Sequence, residues 1–211
     1  MVASHEIPLI VGAYQKGIRN YDVEKAYRAI KEIQTIPGKA HPCGGWVGNH
    51  NLKSYMRMGY VPAEEGPVSN TLEYAYDDWC IAQIAKKAGN DEVYEEYMKR
   101  SGYYNNVYDP EIGYMRPKLA NGEWRKNFDP IDTHGQGFIE GNAWNYGLYV
   151  PQDINKMISM MGGKDTFSAH LDKIFTTEID DKFIAKNEDI TRDGIIGNYV
   201  HGNEPGHHMP Y

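Results

Sequence analysis

Apolar residues recur along most of this chain at spacings of three and four, the mark of helices that pack by one face. Val23, Ala26, Tyr27, Ile30 and Ile33 form one stripe, with Asp22 placed to cap its start and Pro37-Gly38 to stop it. Leu72, Ala75, Tyr76, Trp79 and Ala82 form the next; Asn70 with Glu73 resembles a capping box, and Gly89 suits the residue just past the last turn. Val93, Tyr94, Tyr97 and Met98 follow, behind an Asn90 cap and an acidic first turn at Asp91-Glu92. Pro151 fits the first position of a helix whose face is Ile154, Met157, Ile158 and Met161, closed by Gly162-Gly163. Phe167, Leu171, Ile174 and Phe175 make the face of a following helix.

No segment alternates for long enough to predict a sustained strand. A small hairpin is predicted between Ile112 and Trp124, around the Asn121-Gly122 turn. Long loops cover residues 37–51, 59–69, 109–137 and 188–208, and loops of this length in a compact domain are often functional. The pattern predicts an all-α fold of helix hairpins with long loops at one end, as in an α/α toroid around a cleft. There is no convincing repeat, which disfavours a solenoid, and no linker, so a single domain is expected.

Composition narrows the partners. The chain has 211 residues, 41% hydrophobic and 24% charged, within the range of soluble globular proteins. A formal net charge of −7 argues against nucleic acid. No apolar run reaches the roughly eighteen residues that a membrane span needs. Residues 1–9 have neither a basic start nor an apolar stretch, so they do not read as a signal peptide. Cys43 and Cys80 lack metal-like spacing and read as two buried free thiols. Tyrosine is in excess, at 17 residues, which suits rigid core filling, a cleft lined by amphipathic rings, or both.

The candidate chemistry lies in Phe138-Ile139-Glu140-Gly141-Asn142-Ala143-Trp144-Asn145-Tyr146 and, further along, in Gly202-Asn203-Glu204-Pro205-Gly206-His207-His208. Both are too polar for a core and too aromatic for an ordinary loop. A carboxylic acid among rings and carboxamides suits a sugar: rings cover its apolar face, amides read its hydroxyls, and the acid protonates a glycosidic oxygen. Glu140 is the candidate acid, although a carboxylate at a helix start has the same local look. Trp144 and Tyr146 are either stacking platforms or packing between helices. Asn203 and Glu204 offer the hard oxygens that Ca²⁺ prefers, whereas His207 and His208 would suit Zn²⁺. Of Asp77 and Asp78, about 100° apart on a helix, one could face a cleft while the other stays solvated, but a capping or salt-bridging role is the favoured reading. Asp132 and His134 give only a weak signal.

Taken together, Leu72-Glu73-Tyr74-Ala75-Tyr76-Asp77-Asp78-Trp79, Tyr114-Met115-Arg116, Phe138-Ile139-Glu140-Gly141-Asn142-Ala143-Trp144, Val150-Pro151-Gln152-Asp153, Met161-Gly162-Gly163-Lys164 and Gly202-Asn203-Glu204-Pro205-Gly206-His207-His208 resemble glycoside hydrolase family 92, in order and over nearly the whole chain. The resemblance implies an exo-acting, inverting α-mannosidase, often α-1,2-specific, that joins a β-sandwich to an (α/α)6 catalytic domain. It implies Ca²⁺ on the O2 and O3 hydroxyls of a terminal mannose, and mannose-containing glycans as partners. It places the general acid on Glu140, with burial against rings such as Trp144 expected to help it keep its proton. Substrate contacts are expected from Trp144, Asn142, Asn145, Glu204, His207 and His208, and metal ligands from Asn203 and Glu204. Asn145 stands where the family often has Gln. The family's base lies in a downstream Asn-Asp-x-Gly segment that this sequence lacks, and the β-sandwich is lacking too. Residues 1–211 are therefore expected to be an internal part of the catalytic domain, inactive alone. Such enzymes usually work in the periplasm or outside the cell.

Three other readings remain: a non-catalytic carbohydrate-binding helical domain, a zinc hydrolase built on Glu140, Glu204 and the histidines, and another toroidal sugar enzyme such as a glucosidase. Oligomeric state is not legible.

Overall fold

The computed structural model describes residues 3–185 and 192–211; the start of the expected loop 188–208 lies outside the described residues. The chain is helix-rich, with seven α-helices among the described residues and three antiparallel strand pairs of two residues per strand. No helix among the described residues is long and apolar enough to cross a membrane. Two compact units are present: residues up to Val61 with Asn70–Asn106, and Pro62–Ser69 with Val107–Tyr211.

The first unit holds α1 (Glu6–Gln15), α2 (Val23–Ile33), the β1–β2 pair (Lys39–Ala40, Trp46–Val47), α3 (Leu52–Met58), nearly all of α4 (Ser69–Lys87) and α5 (Asp91–Ser101). The expected caps form: the Asp22 side chain accepts from the Lys25 amide at 2.9 Å, and Asn90 accepts from the Val93 amide at 3.2 Å. The stripes face inward, burying Ile30 of α2, Ile81 and Ala82 of α4 and Tyr97 of α5 against Ile7 and Val11 of α1.

Three expectations fail here. Asn70 is not a cap: α4 begins at Ser69, and the Asn70 carboxamide instead donates to Asn51 at 2.8 Å. Cys43 is exposed beside the β1–β2 turn, and only Cys80 is buried. Neither Asp77 nor Asp78 is solvated; both are buried, and the salt-bridging role favoured from the sequence holds for Asp78. Asp78 pairs with Arg100 at 2.8 Å and accepts from the Tyr55 hydroxyl at 2.6 Å. Arg100 also donates to the Gln34 carbonyl at 2.7 Å, and the Gln34 side chain accepts from Asn49, which accepts from Ser4. A polar chain thus crosses the core with its groups partnered, as burial requires.

The second unit holds the β3–β4 pair (Tyr108–Asp109, Tyr114–Met115), α6 (Ile154–Met160), α7 (Lys164–Thr176) and the β5–β6 pair (Ile195–Ile196, Tyr199–Val200). The turn at Asn121-Gly122 forms as expected, with Lys118 bridging Trp124, but strand pairing also occurs upstream, at Tyr108. There the buried Asp109 carboxylate holds Arg116 at 2.9 Å. Pro151 does not open a helix: α6 starts at Ile154, and the Asp153 amide donates to the Val150 carbonyl, which makes Pro151 the second residue of a turn.

Burial pushes Asp78 up to about 7, against the pull of Arg100. Burial, then repulsion from Glu73 and Asp78 and more weakly Glu6, pushes Asp77 well above the carboxylate range, opposed by the Ser4 amide. Both folded values are raised, so the fold binds protons that the unfolded chain releases. Stability is therefore fullest at acid pH and is lost as pH rises from the ordinary value of 3.8 through about 7 for Asp78. Asp77→Asn should flatten this slope by up to about 1.4 kcal/mol per pH unit, the contribution of one proton. Urea unfolding between pH 5 and 8 reads it, and identical slopes in both proteins would contradict the assignment.

Candidate active site

The acid segment is held by its own carboxamides. Asn145 Oδ1 accepts from the backbone amides of Asn142 at 2.9 Å and Tyr146 at 2.6 Å. Asn142 Oδ1 accepts from the amides of Trp144 at 3.0 Å and Asn145 at 3.3 Å. The turn is closed from both directions, and it leads into the 3-10 turn Tyr146–Leu148, whose residues are buried. Gly141, at φ +62°, lies against the Asn145 carboxamide; a Cβ there would run into that oxygen, so both the backbone conformation and the contact require glycine.

The same side chains reach outward to fix the turn. Asn142 Nδ2 donates to the Ile131 carbonyl at 2.8 Å and to Asn198 Oδ1 at 3.0 Å. Asn145 Nδ2 donates to the Asn198 carbonyl at 2.8 Å. Both residues are buried. Both side chains, expected to contact substrate, make these hydrogen bonds within the protein.

Glu140 is half-buried at the edge of this turn, and Asn203 Nδ2 donates to its Oε2. The two segments singled out in the sequence therefore meet at this carboxylate. Asn203 is buried, and Glu204, which opens the 3-10 turn Glu204–Gly206, is exposed. The two histidines diverge. His207 is exposed, with Nε2 at 2.8 Å from the His201 carbonyl and its ring 5.1 Å from that of His201. His208 Nε2 lies 3.1 Å from the Leu148 carbonyl, tying this segment to the 3-10 turn of the acid loop. Burial lowers the pKa of His208, against the carbonyls of Leu148 and Pro205, so its ring is neutral at pH 7.

Trp144 lies in a cluster of rings, stacked at 6.2 Å on Tyr114 and edge-on at 5.4 Å to His170. Its buried indole N–H has no hydrogen-bond partner among the described residues, and the residue lines a small cavity of about 140 Å³ with Ile131, Ile179, Phe183 and Asn198. Tyr146 is fully buried. Asp132 and His134 pair locally at 2.8 Å, and Gln136 donates to Asp132 at 2.9 Å. Among the described residues no group of three or more His, Cys, Asp or Glu side chains converges as a metal site.

The sequence reading missed Asn198 and His201. A usable signal was present: Gly197-Asn198 between Ile195-Ile196 and Tyr199-Val200 is a two-residue hairpin turn flanked by strand formers.

The description of the glycosyl hydrolase family 92 catalytic domain matches residues 1–211. The chain belongs to glycosyl hydrolase family 92. A solved family 92 α-mannosidase of Bacteroides thetaiotaomicron is 38% identical, with a TM-score of 0.82, over 99% of this chain and 26% of its own. The same enzyme is known in complex with mannoimidazole. A family 92 inverting mannosidase of the same species is 35% identical, with a TM-score of 0.77, over 85% of this chain and 24% of its own. An uncharacterized secreted glycosidase of Arthroderma benhamiae is 28% identical over 206 residues, 81% of this chain and 26% of its own. This chain thus spans about a quarter of the length of these family 92 relatives.

Replacing Asn145 by Ala would leave the buried amides of Asn142 and Tyr146 without an acceptor. At roughly 1–3 kcal/mol for each buried unsatisfied group, the expected loss is about 2–6 kcal/mol. Urea unfolding of the chain measures it; a loss below about 0.5 kcal/mol would show that the turn does not depend on this side chain.

Proposed function

We propose that these residues are part of the (α/α)6 catalytic domain of an inverting exo-α-mannosidase, with Glu140 as its general acid. The observation that carries this reading is the meeting of the acid segment and the Asn203–His208 segment at one half-buried carboxylate, in a family 92 chain. The Asn203 carboxamide donates to Oε2 of Glu140, and as general acid the carboxyl delivers a proton to the departing sugar oxygen. In an inverting reaction a second carboxylate, roughly 6.5–9.5 Å from the acid, activates a water on the opposite face of the ring. That base is proposed to come from outside these 211 residues.

Trp144, Glu204, His207 and His208 are proposed to border the mannose, while Asn142 and Asn145 act through the turn they close. The preferred linkage is proposed to be α-1,2, in glycans met outside the cytoplasm; the secreted name of the Arthroderma relative supports the location. Ca²⁺, when bound, would hold a pair of vicinal hydroxyls through their oxygens. Asn203 and Glu204 provide suitable oxygens, but calcium takes six to eight. Among the described residues no group of three or more His, Cys, Asp or Glu side chains converges there, so two side-chain oxygens would need further ligands to complete the shell.

Glu140→Gln in the complete enzyme should lower kcat on natural α-mannosides by about 10²–10⁴, the usual share of a general acid. On an aryl mannoside whose leaving group needs no proton, the loss should be far smaller. Equal losses on both substrates would remove Glu140 from the acid role. The isolated 211-residue chain should release no mannose; chelator-sensitive release would contradict a base outside it.

A further inference from the structure

The β5–β6 hairpin touches the acid segment at two places. At its turn, Asn198 accepts from both carboxamides that close the acid turn, through Oδ1 at 3.0 Å and through its backbone carbonyl at 2.8 Å. At its exit, Asn203 donates to Glu140 itself. The hairpin is in turn fixed to α7. The Asn198 amide donates to the Ile174 carbonyl at 2.6 Å, and a Cβ on Gly197, at φ +63°, would lie 2.6 Å from that same oxygen. The turn therefore sits on the last turn of α7 with no space for a side chain.

Asn198 is buried, as are Asn142 and Asn145, so these bonds are made away from water. A bond that is lost there is not replaced. Asn142 is two residues from Glu140, close enough for a shift at its amide to reach the carboxylate.

We infer that Asn198 is a positioning residue for Glu140, holding the acid turn in register with the segment that presents Asn203. The inference rests on the reading of Glu140 as the acid. It adds a residue outside both segments that carry the chemistry, and makes the hairpin the common support of both.

The test uses Asn198→Ala, which removes the side-chain acceptor, and Asn198→Asp, which keeps it. Hydrogen exchange is followed in the chain, and kcat and KM in the complete enzyme. The Ala variant should speed exchange about 10-fold at the amides of Asn142, Trp144, Asn145 and Tyr146 and leave α6 unchanged. The Asp variant should restore most of that protection. In the enzyme, Ala should lower kcat about 10-fold or more with KM within about 3-fold, because the acid is misplaced while the sugar still binds. Unchanged exchange at the four amides, or equal acceleration throughout α6 and α7, would overturn the inference. A wild-type enzyme that hydrolyses no mannoside while the exchange result holds would count against the catalytic reading alone.

Discussion

Three buried carboxamides, those of Asn142, Asn145 and Asn198, set the geometry on which the rest of the site depends. A carboxamide brings two donor hydrogens and an oxygen with two lone pairs, and burial is tolerated only when most of these are used. Here Asn142 uses its oxygen twice and its nitrogen twice, and Asn145 uses its oxygen twice and its nitrogen once. Each such bond contributes only about 1 kcal/mol net, but breaking one leaves a buried orphan. The turn is thereby held from several sides, and Asn203 donates to the Glu140 carboxylate at its edge. A rigid support of this kind is what general acid catalysis asks for, since an acid displaced by a fraction of an ångström loses much of its effect.

The first unit solves a related problem with charge. Arg100 and Asp78 form a buried pair, surrounded by Tyr55 and the Gln34 carbonyl. Such pairs gain little net stability, because desolvation consumes most of the attraction. Removing one partner leaves the other charge buried alone. The Asp77 carboxyl beside it faces no cation of its own, and burial drives it toward the neutral form.

Local chemistry was legible in the sequence. The caps at Asp22 and Asn90 each satisfy an amide three residues ahead, so the residue and its target appear in one short window. The helix stripes were legible because each helix buries one face. Glu140 and the Asn203–His208 segment were legible through residue types that suit neither core nor loop. What was not legible depends on distant partners. Asn70 looks like a cap until Asn51 claims its amide. A salt bridge at Asp77 or Asp78 was legible as a role, but not that Asp78 would take it, since Arg100 and Tyr55 come from other helices. That Asn142 and Asn145 would close a turn on one another was not legible, because a free carboxamide and an engaged one have the same letter. Asn198, the acceptor for both, lies in a turn whose residue types suggest only a hairpin.

The most direct test of the account is a crystal structure of the complete enzyme with mannoimidazole, a ligand already seen in the Bacteroides thetaiotaomicron relative. The account predicts a Glu140 carboxyl oxygen within hydrogen-bond reach, about 2.6–3.2 Å, of the ligand atom that occupies the position of the glycosidic oxygen, with the Asn203 contact kept. A different carboxylate at that position, with Glu140 turned away from the ligand, would contradict it.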